Sequence, residues 1–530
     1  LELFQDAKET VMSEIHVRCP RTNRPLYDIP EATTEDVAAA YARARKAQRV
    51  LGAMTVRERL AQVAKLKHYI LKNKDHIAQR ISEETGKCIT DALLLEVYPA
   101  LDIIDHYEKT AEKSLADERV STPLVMFGKH SRVFYEPLGI LLVISPWNYP
   151  FHLSFIPAVS ALIAGNAVIL KPSQYTPLRG VVEDMVRESG FVTDAFQVVY
   201  ATRRSAKALI DQRPDKIMFT GSVGAGKIVM EQAAQYLIPV ELELGGKDPM
   251  VAFDDVDLGR TVNGALWGAF VNCGQTCTSI ERLYVQEGIY DVFVSELVEK
   301  VKKLHIPTDS QSENDGGQLD VGCMTTDAQL ETVERQLAEA VAQGATILTG
   351  GKRVPGTRIF PPTVVTNVNH SMSVVKDETF GPVVVVMKFK TEDEAIALAN
   401  DSIFGLSASV WSRDLVRAKR VARAIYTGNV SINSALATQA NSALPYGGLK
   451  DSGFGRYRGH FGLHAFSNIK SVFIDKQKSM PEMYWYPYSP KKYKLFGNLL
   501  DALYGGGLLW LLKAGVAGAR LFVMSIREKL

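Results

Sequence analysis

Two cysteines stand four residues apart in Phe270-Val271-Asn272-Cys273-Gly274-Gln275-Thr276-Cys277. On adjacent helical turns they would offer two thiolate ligands. No second Cys or His pair follows at zinc spacing, so no metal is expected. Gly274-Gln275 predicts an irregular backbone entering a helix, and a helix N-terminus stabilises a thiolate. One reading is a reactive thiol, with no choice yet between Cys273 and Cys277. The other is a pair of small buried apolar side chains.

Four further stretches carry polar groups suited to chemistry. In Glu241-Leu242-Glu243-Leu244-Gly245-Gly246-Lys247, strand alternation puts Glu241 and Glu243 on one face, as a general base, a pair of metal ligands or a solvated edge. Ser145-Pro146-Trp147-Asn148-Tyr149-Pro150 follows an apolar run. The Asn148 amide there could serve a developing oxyanion, or the segment could be a plain turn. Gly221-Ser222-Val223-Gly224-Ala225-Gly226 opens a helix after a strand and could hold phosphate, although it is not the usual dinucleotide fingerprint. Lys171 ends the run AVILK. Its ammonium would meet a ribose or phosphate, or water.

The elements that must hold these residues follow from periodicity. From 36 to 110 the apolar residues recur at three and four, predicting helices, with Gly86 a stop. Residues 122–137 alternate and predict short strands. From 139 onward, buried strand runs (ILLVIS, AVILK, FQVVY, KIMFTGS) alternate with helices at 154–164, 178–189 and 206–212. A second such unit starts near 247, with PMVAF, RLYVQE, TVVTNV, GPVVVVMKF, LSASVW and GNVSIN. Its helices are predicted at 258–272, 290–303, 327–343, 392–400 and 414–423. This pattern predicts an α/β chain of two domains with mostly parallel sheets, plus strand pieces near 122–137 and 467–475. Residues 309–320 predict an exposed loop.

Composition sets the outer limits. Hydrophobic residues make up 46% and charged residues 23%, which excludes disorder and coiled coil as the main architecture. A net charge of +2 points away from nucleic acid. Five scattered cysteines fit a reducing, cytoplasmic setting, and the polar opening LELFQDAKET lacks a secretory signal's apolar run. The tail, 495–530, differs. Lys513, Arg520 and Arg527 recur every seven residues on an otherwise apolar helix at 508–527. Such a helix would lie on a membrane surface, cap an apolar substrate mouth or pack on a neighbouring subunit; a true span is the weakest of these readings.

Taken together, the motifs resemble the aldehyde dehydrogenase superfamily over about residues 35–475. LELGGK stands at 242–247, the cysteine signature at 270–277, SPWNYP at 145–150 and KPS at 171–173. FTGS follows at 219–222, ETFGPV at 378–383 and PYGG at 445–448. The resemblance implies two Rossmann-like three-layer domains. These are a dinucleotide-binding domain (1–120 and 138–245) and a catalytic domain with the nucleophilic cysteine (246–450). It adds oligomerisation strands (121–137 and 466–476) and an extension (477–530) with an apolar helix. It makes Cys277 the nucleophile, Glu243 the general base and Asn148 the oxyanion donor, paired with the Cys277 N–H. It assigns Trp147, Lys171, Ser173, Gln174, Gly221, Ser222, Glu378 and Phe380 to the cofactor, NAD first with NADP open. Many NAD-preferring members carry Glu where this chain has Gln174, and a carboxylate there would repel a 2′-phosphate. The implied reaction is thiolate attack on an aldehyde, hydride transfer to nicotinamide and hydrolysis of the thioester to a carboxylic acid.

The segment 453–473 is most similar to the fatty aldehyde branch. That implies a medium- to long-chain aliphatic substrate, a homodimer or dimer of dimers, and peripheral contact with the cytoplasmic face of a membrane. Aromatic aldehyde oxidation, coenzyme A acylation and a catalytically silent scaffold are the alternatives.

Overall fold

The computed structural model describes residues 14–123, 126, 128–308, 316–476, 481–506 and 508–527. The opening segment LELFQDAKET and residues 309–315 of the expected loop lie outside the described residues. The chain forms two compact units. One takes the described residues up to Leu115 together with Glu136–Asn468, and the other Ala116–Tyr135 with Ile469–Leu530.

Local caps set the helices of the first unit. Thr33 and Asp36 form a reciprocal capping box that starts helix Thr34–Ala53, and Thr55 with Glu58 does the same for Val56–Lys72. Gly86 ends Lys74–Thr85 in the left-handed region, φ 78°. Five-residue stretches with apolar centres become wholly buried strands: Ile140–Ile144, Ala167–Lys171, Lys216–Thr220 and Asp248–Ala252.

These strands build two sheets. The first has six strands, in the spatial order Gly453–Phe454, Val240–Glu243, Lys216–Thr220, Ile140–Ile144, Ala167–Lys171, Phe196–Val198. All pairs are parallel except the one made by Gly453–Phe454. The second has seven, ordered Thr346–Thr349, Thr363–Thr366, Val383–Phe389, Ile280–Gln286, Asp248–Ala252, Ser407–Trp411, Asn429–Ile432, with one antiparallel edge. Parallel strands with buried faces need crossover helices on both sides, hence the two-sheet α/β architecture.

Three features depart from the expectations. A hairpin, Glu14–Arg18 with Pro25–Pro30, precedes the first helix. Within the helical stretch, Leu93–Val97 widens into a π-helical turn. The helix predicted over 258–272 ends at Phe270. A 3₁₀ turn, Val271–Gly274, follows, and Asn272 and Cys273 take φ of 53° and 57°.

The second unit holds most of a three-stranded sheet ordered Ser467–Asp475, Lys129–Pro137, Glu118–Val120. Lys129 binds Asp475 at 2.7 Å and also pairs with Glu482. The tail is a helical hairpin rather than one helix, since Pro490–Tyr504 precedes Leu508–Arg527. Leu499, Ala502, Ala514, Ala517 and Leu521 close its core. Lys513, Arg520 and Arg527 are exposed, as are Trp485 and the tyrosines at 484, 486, 488, 493 and 504. Among the described residues no helix is long and apolar enough to cross a membrane.

Candidate active site

Register places four of the motifs side by side. Ile144 pairs with Lys171 on one flank and with Phe219 on the other, and Thr220 pairs with Glu243. The Gly221 N–H donates to the Glu243 carbonyl at 3.0 Å. Asn148, Lys171, Gly221 and Glu243 therefore emerge from the carboxyl ends of neighbouring parallel strands, where α/β folds bind ligands.

The cysteine loop comes to this edge from the second sheet. The Asn148 Nδ2 donates to the Gln275 carbonyl at 3.0 Å. The Asn148 carbonyl accepts from Lys87 Nζ at 2.7 Å and from Asn272 Nδ2 at 3.2 Å. Lys87 is fully buried, pairs with Glu96 at 2.5 Å and lies 4.0 Å from the Tyr149 ring centroid. The other Glu96 oxygen accepts the Phe151 N–H at 2.8 Å and the His152 N–H at 3.3 Å. A buried ion pair thus grips the backbone at Asn148 and again at Phe151 and His152, just after it.

The two cysteines separate in role. Cys273 is fully buried, and its sulfur lies 3.8 Å from the Met324 sulfur. Cys277 is partly exposed and lines a cavity of about 100 Å³. No helix begins at it: a turn and the strand Ile280–Gln286 follow. The expected support of its thiolate by a helix dipole is therefore missing. Burial instead pushes the thiol up to about 12; the Tyr446 hydrogen bond opposes this, and the charges of Asp248, Glu243 and Glu378 add to it.

Of the two strand carboxylates, Glu241 is engaged by Lys216 at 2.7 Å. Glu243 is 4% exposed. Burial raises its carboxyl to about 8, against the pull of the Arg456 and Arg458 cations. Two glycines behind it are required by close approach. A Cβ on Gly245 would come within 2.3 Å of a Glu378 oxygen, and one on Gly246 within 2.2 Å of the Cys277 carbonyl.

The remaining predicted residues form a second cluster. The Gly246 N–H donates to Glu378 Oε1 at 2.9 Å. The Trp147 and Phe380 rings meet edge to face, with centroids 5.3 Å apart. Lys171 is buried, donates to the Pro172 carbonyl at 3.1 Å, and is lowered to about 8 by burial. Ser173 accepts the Tyr175 N–H at 3.2 Å, and Gln174 is partly exposed beside it. Ser222 caps helix Val223–Ala234, and a Cβ on Gly224 would point into open space. An open helix N-terminus, a buried lysine and a carboxylate at the strand ends fit a dinucleotide.

Several working residues were not singled out by the motifs. Glu281 is buried and binds Lys247 at 2.5 Å. Its carboxylate also takes the Thr379 and Phe380 N–H groups, each at 2.9 Å, and so fixes the loop of Glu378. The signal was available, because Glu281-Arg282 inside an otherwise buried strand is unusual. Tyr446, Tyr457, Arg458 and His152 line the Cys277 cavity. Tyr446 lies within the PYGG motif, and Tyr457 and Arg458 within 453–473, but neither stretch assigned these side chains a role.

Comparison with known proteins places the chain in a family. Residues 6–472 match the aldehyde dehydrogenase family. A 4,4′-diapolycopene aldehyde oxidase of Methylomonas sp is 40% identical over 496 residues, covering 93% of this chain and 92% of that protein. Among solved structures, an NADP-dependent enzyme of E. coli superposes with a TM-score of 0.83 at 32% identity, covering 87% of this chain and 95% of that one. A point mutant of betaine aldehyde dehydrogenase from Staphylococcus aureus, in complex with NAD+, also gives 0.83, at 30% identity and 91% and 98% coverage. The chain belongs to the aldehyde dehydrogenase family, and it is an NAD(P)-dependent enzyme that oxidises aldehydes to carboxylic acids.

Proposed function

We propose that this enzyme oxidises long apolar aldehydes through a thioester on Cys277. The observation that carries the reading is the shared strand-end edge of Asn148 and Glu243, onto which the Cys277 loop is hydrogen-bonded. Cys277 attacks the carbonyl carbon, and Asn148 with the Cys277 N–H receives the oxyanion. Glu243, as the carboxylate, takes a proton from the water that opens the thioester. That buried base favours hydrolysis over transfer to coenzyme A.

The dinucleotide supplies the hydride acceptor when bound. Lys171, Ser173 and Gln174 would hold its adenosine ribose, Gly221 and Ser222 its pyrophosphate, and Glu378 its nicotinamide ribose. Trp147 and Phe380 would wall the pocket. NAD comes first in this reading, and Gln174, which leaves the ribose site without a repelling carboxylate, lets NADP be accepted as well. In this reading the segments 1–120 and 138–245 form the cofactor domain and 246–450 the catalytic domain.

The cavity wall supports the substrate class. Leu94, Leu95, Leu153, Trp267, Val271 and Leu436 dominate it, and no carboxylate lines it. A cationic aldehyde would find no counter-charge there. Initial rates across aldehydes of two to sixteen carbons, and with benzaldehyde, test the proposal. A rise of about fourfold in kcat/KM per methylene is expected while the chain is being buried, from about 0.8 kcal/mol each. A flat series, or a preference for benzaldehyde, rejects it.

The hairpin tail is the proposed membrane contact. Exposed Trp485 and five tyrosines accompany exposed Lys513, Arg520 and Arg527, the composition of an interfacial anchor. The strands Lys129–Pro137 and Ser467–Asp475 are the proposed joint of a homodimer or dimer of dimers. Phe473 and Ile469 are exposed on the second of them. Co-sedimentation of the full chain with phosphatidylserine vesicles should be lost on deleting 481–530. Unchanged sedimentation rejects the anchor.

A further inference from the structure

The Tyr446 hydroxyl stands 3.7 Å from the Cys277 sulfur. The side chain is 3% exposed and held from several directions. Its ring meets Tyr457 edge to face, with centroids 5.8 Å apart. The Arg458 guanidinium lies 4.9 Å from its centroid. The two tyrosines also exchange both backbone hydrogen bonds, at 3.1 and 3.2 Å.

Arg458 is fixed in turn. It donates to His152 Nε2 at 2.6 Å and to the Gln439 carbonyl. His152 donates from Nδ1 to the Leu95 carbonyl at 2.7 Å. Burial and the Arg458 charge push its pKa down to about 3, so its Nε2 stays an acceptor. The phenol is therefore aimed at the sulfur by a rigid surround rather than by chance rotation.

We propose that Tyr446 is a further catalytic residue, whose hydroxyl donates a hydrogen bond to the Cys277 thiolate and holds the nucleophile ready for attack. This rests on the reading of Cys277 as nucleophile.

The charges at the site show why such a donor is needed. Asp248, Glu243 and Glu378, wherever ionised, each oppose a thiolate at the sulfur. Tyr149 and Tyr457 are close enough to interact with it as well. The Tyr446 hydrogen bond acts in the other direction. Burial keeps this phenol protonated, and hence a donor, well beyond neutral pH. The Arg458 cation over its ring draws on the O–H and strengthens the donor. Once sulfur bonds to carbon its negative charge is gone, and the hydrogen bond weakens as the reaction proceeds.

The test is Tyr446→Phe in the full-length enzyme. Alkylation by iodoacetamide is followed between pH 7 and 10, mapped to Cys277 by mass spectrometry, and repeated with the smaller reagent methyl methanethiosulfonate. Losing the donor should cut the thiolate population about tenfold, while each remaining thiolate becomes about threefold more nucleophilic. Both reagents should therefore label Cys277 about three- to fourfold more slowly at every pH. Equal or faster labelling overturns the proposal, as does slowing confined to the larger reagent. A loosened cavity would speed labelling, which separates a structural role from this one.

Tyr446→2,3-difluorotyrosine makes the hydroxyl a stronger donor in the same shape and should raise the thiolate population. A fall overturns the proposal. Cys277→Ala separates the two readings. If turnover survives it, the nucleophile assignment fails and this inference with it. If turnover is lost while Tyr446→Phe labels like the parent, this inference alone fails.

Discussion

Glu243→Gln is the sharpest perturbation of the hydrolytic half-reaction. The parent carboxyl sits at about 8 because it is buried, with Glu241 adding to the rise and Arg456 and Arg458 restraining it. Only the carboxylate can accept a proton from water. At pH 7 about a tenth of the enzyme holds it ionised, and at pH 9 about nine-tenths does, so a hydrolysis-limited kcat should climb about tenfold over that range. Activity falls as pH drops through the folded-state value, because the group is then protonated. The substituted amide keeps the shape and removes the base. The expected loss is 10²–10⁴-fold in steady-state turnover, the usual worth of general acid–base catalysis. Thioester formation should survive. Rapid mixing with NAD and decanal should therefore show a burst of about one NADH per site, followed by a nearly flat line, and acid quenching should trap the acyl group on Cys277. Turnover within a few-fold of the parent at pH 8, or the same pH slope in both proteins, would refute the reasoning.

Other outcomes follow from the same geometry. Asn148→Ala should lower kcat about 10²–10³-fold with a much smaller change in KM, as expected for loss of an oxyanion donor; steady-state kinetics check this. Glu96→Gln leaves the Lys87 ammonium buried without its counter-charge. It should destabilise the fold by about 3–5 kcal/mol, read as an earlier thermal transition, and lower kcat by releasing the Asn148 backbone. Gln174→Glu should raise the NAD-to-NADP ratio of kcat/KM by tenfold or more; an unchanged ratio would remove this position from the ribose site.

The legible parts of the chain were those in which one local signal has one meaning. Short apolar runs alternating with amphipathic stretches, such as ILLVI, suit buried parallel strands between helices, and Gly86 announces a helix stop. The strand-end motifs were legible for the same reason, since parallel strands deliver their carboxyl ends to a single edge. What escaped depends on distant partners. The π-turn at Leu93–Val97 carries Glu96, whose purpose appears only with Lys87 and the Phe151 and His152 N–H groups. Cys277 was expected at a helix start because Gly274-Gln275 reads as a turn into a helix. Asn272 and Cys273 instead enter the left-handed region, and the chain leaves as a strand. The tail's first helix was missed because Pro487 and Pro490 punctuate a segment that reads as a loop, whereas Pro490 is the helix's opening residue.

The glycines around the nucleophile have a consequence for anyone redesigning this enzyme. A Cβ on Gly274 would come within 2.0 Å of the Gly381 carbonyl, beside the loop that carries Glu378. Gly246 touches the cysteine loop and Gly245 touches Glu378 itself. Three chain segments are thus meshed, two of the contacts backbone to backbone and one against the Glu378 carboxylate, like gear teeth with no clearance. A library that varies one of them alone will return mostly jammed variants, whatever side chains it samples. Exchange of cofactor preference or acyl chemistry between relatives should succeed when 245–247, 272–277 and 378–382 are transplanted as a single cassette.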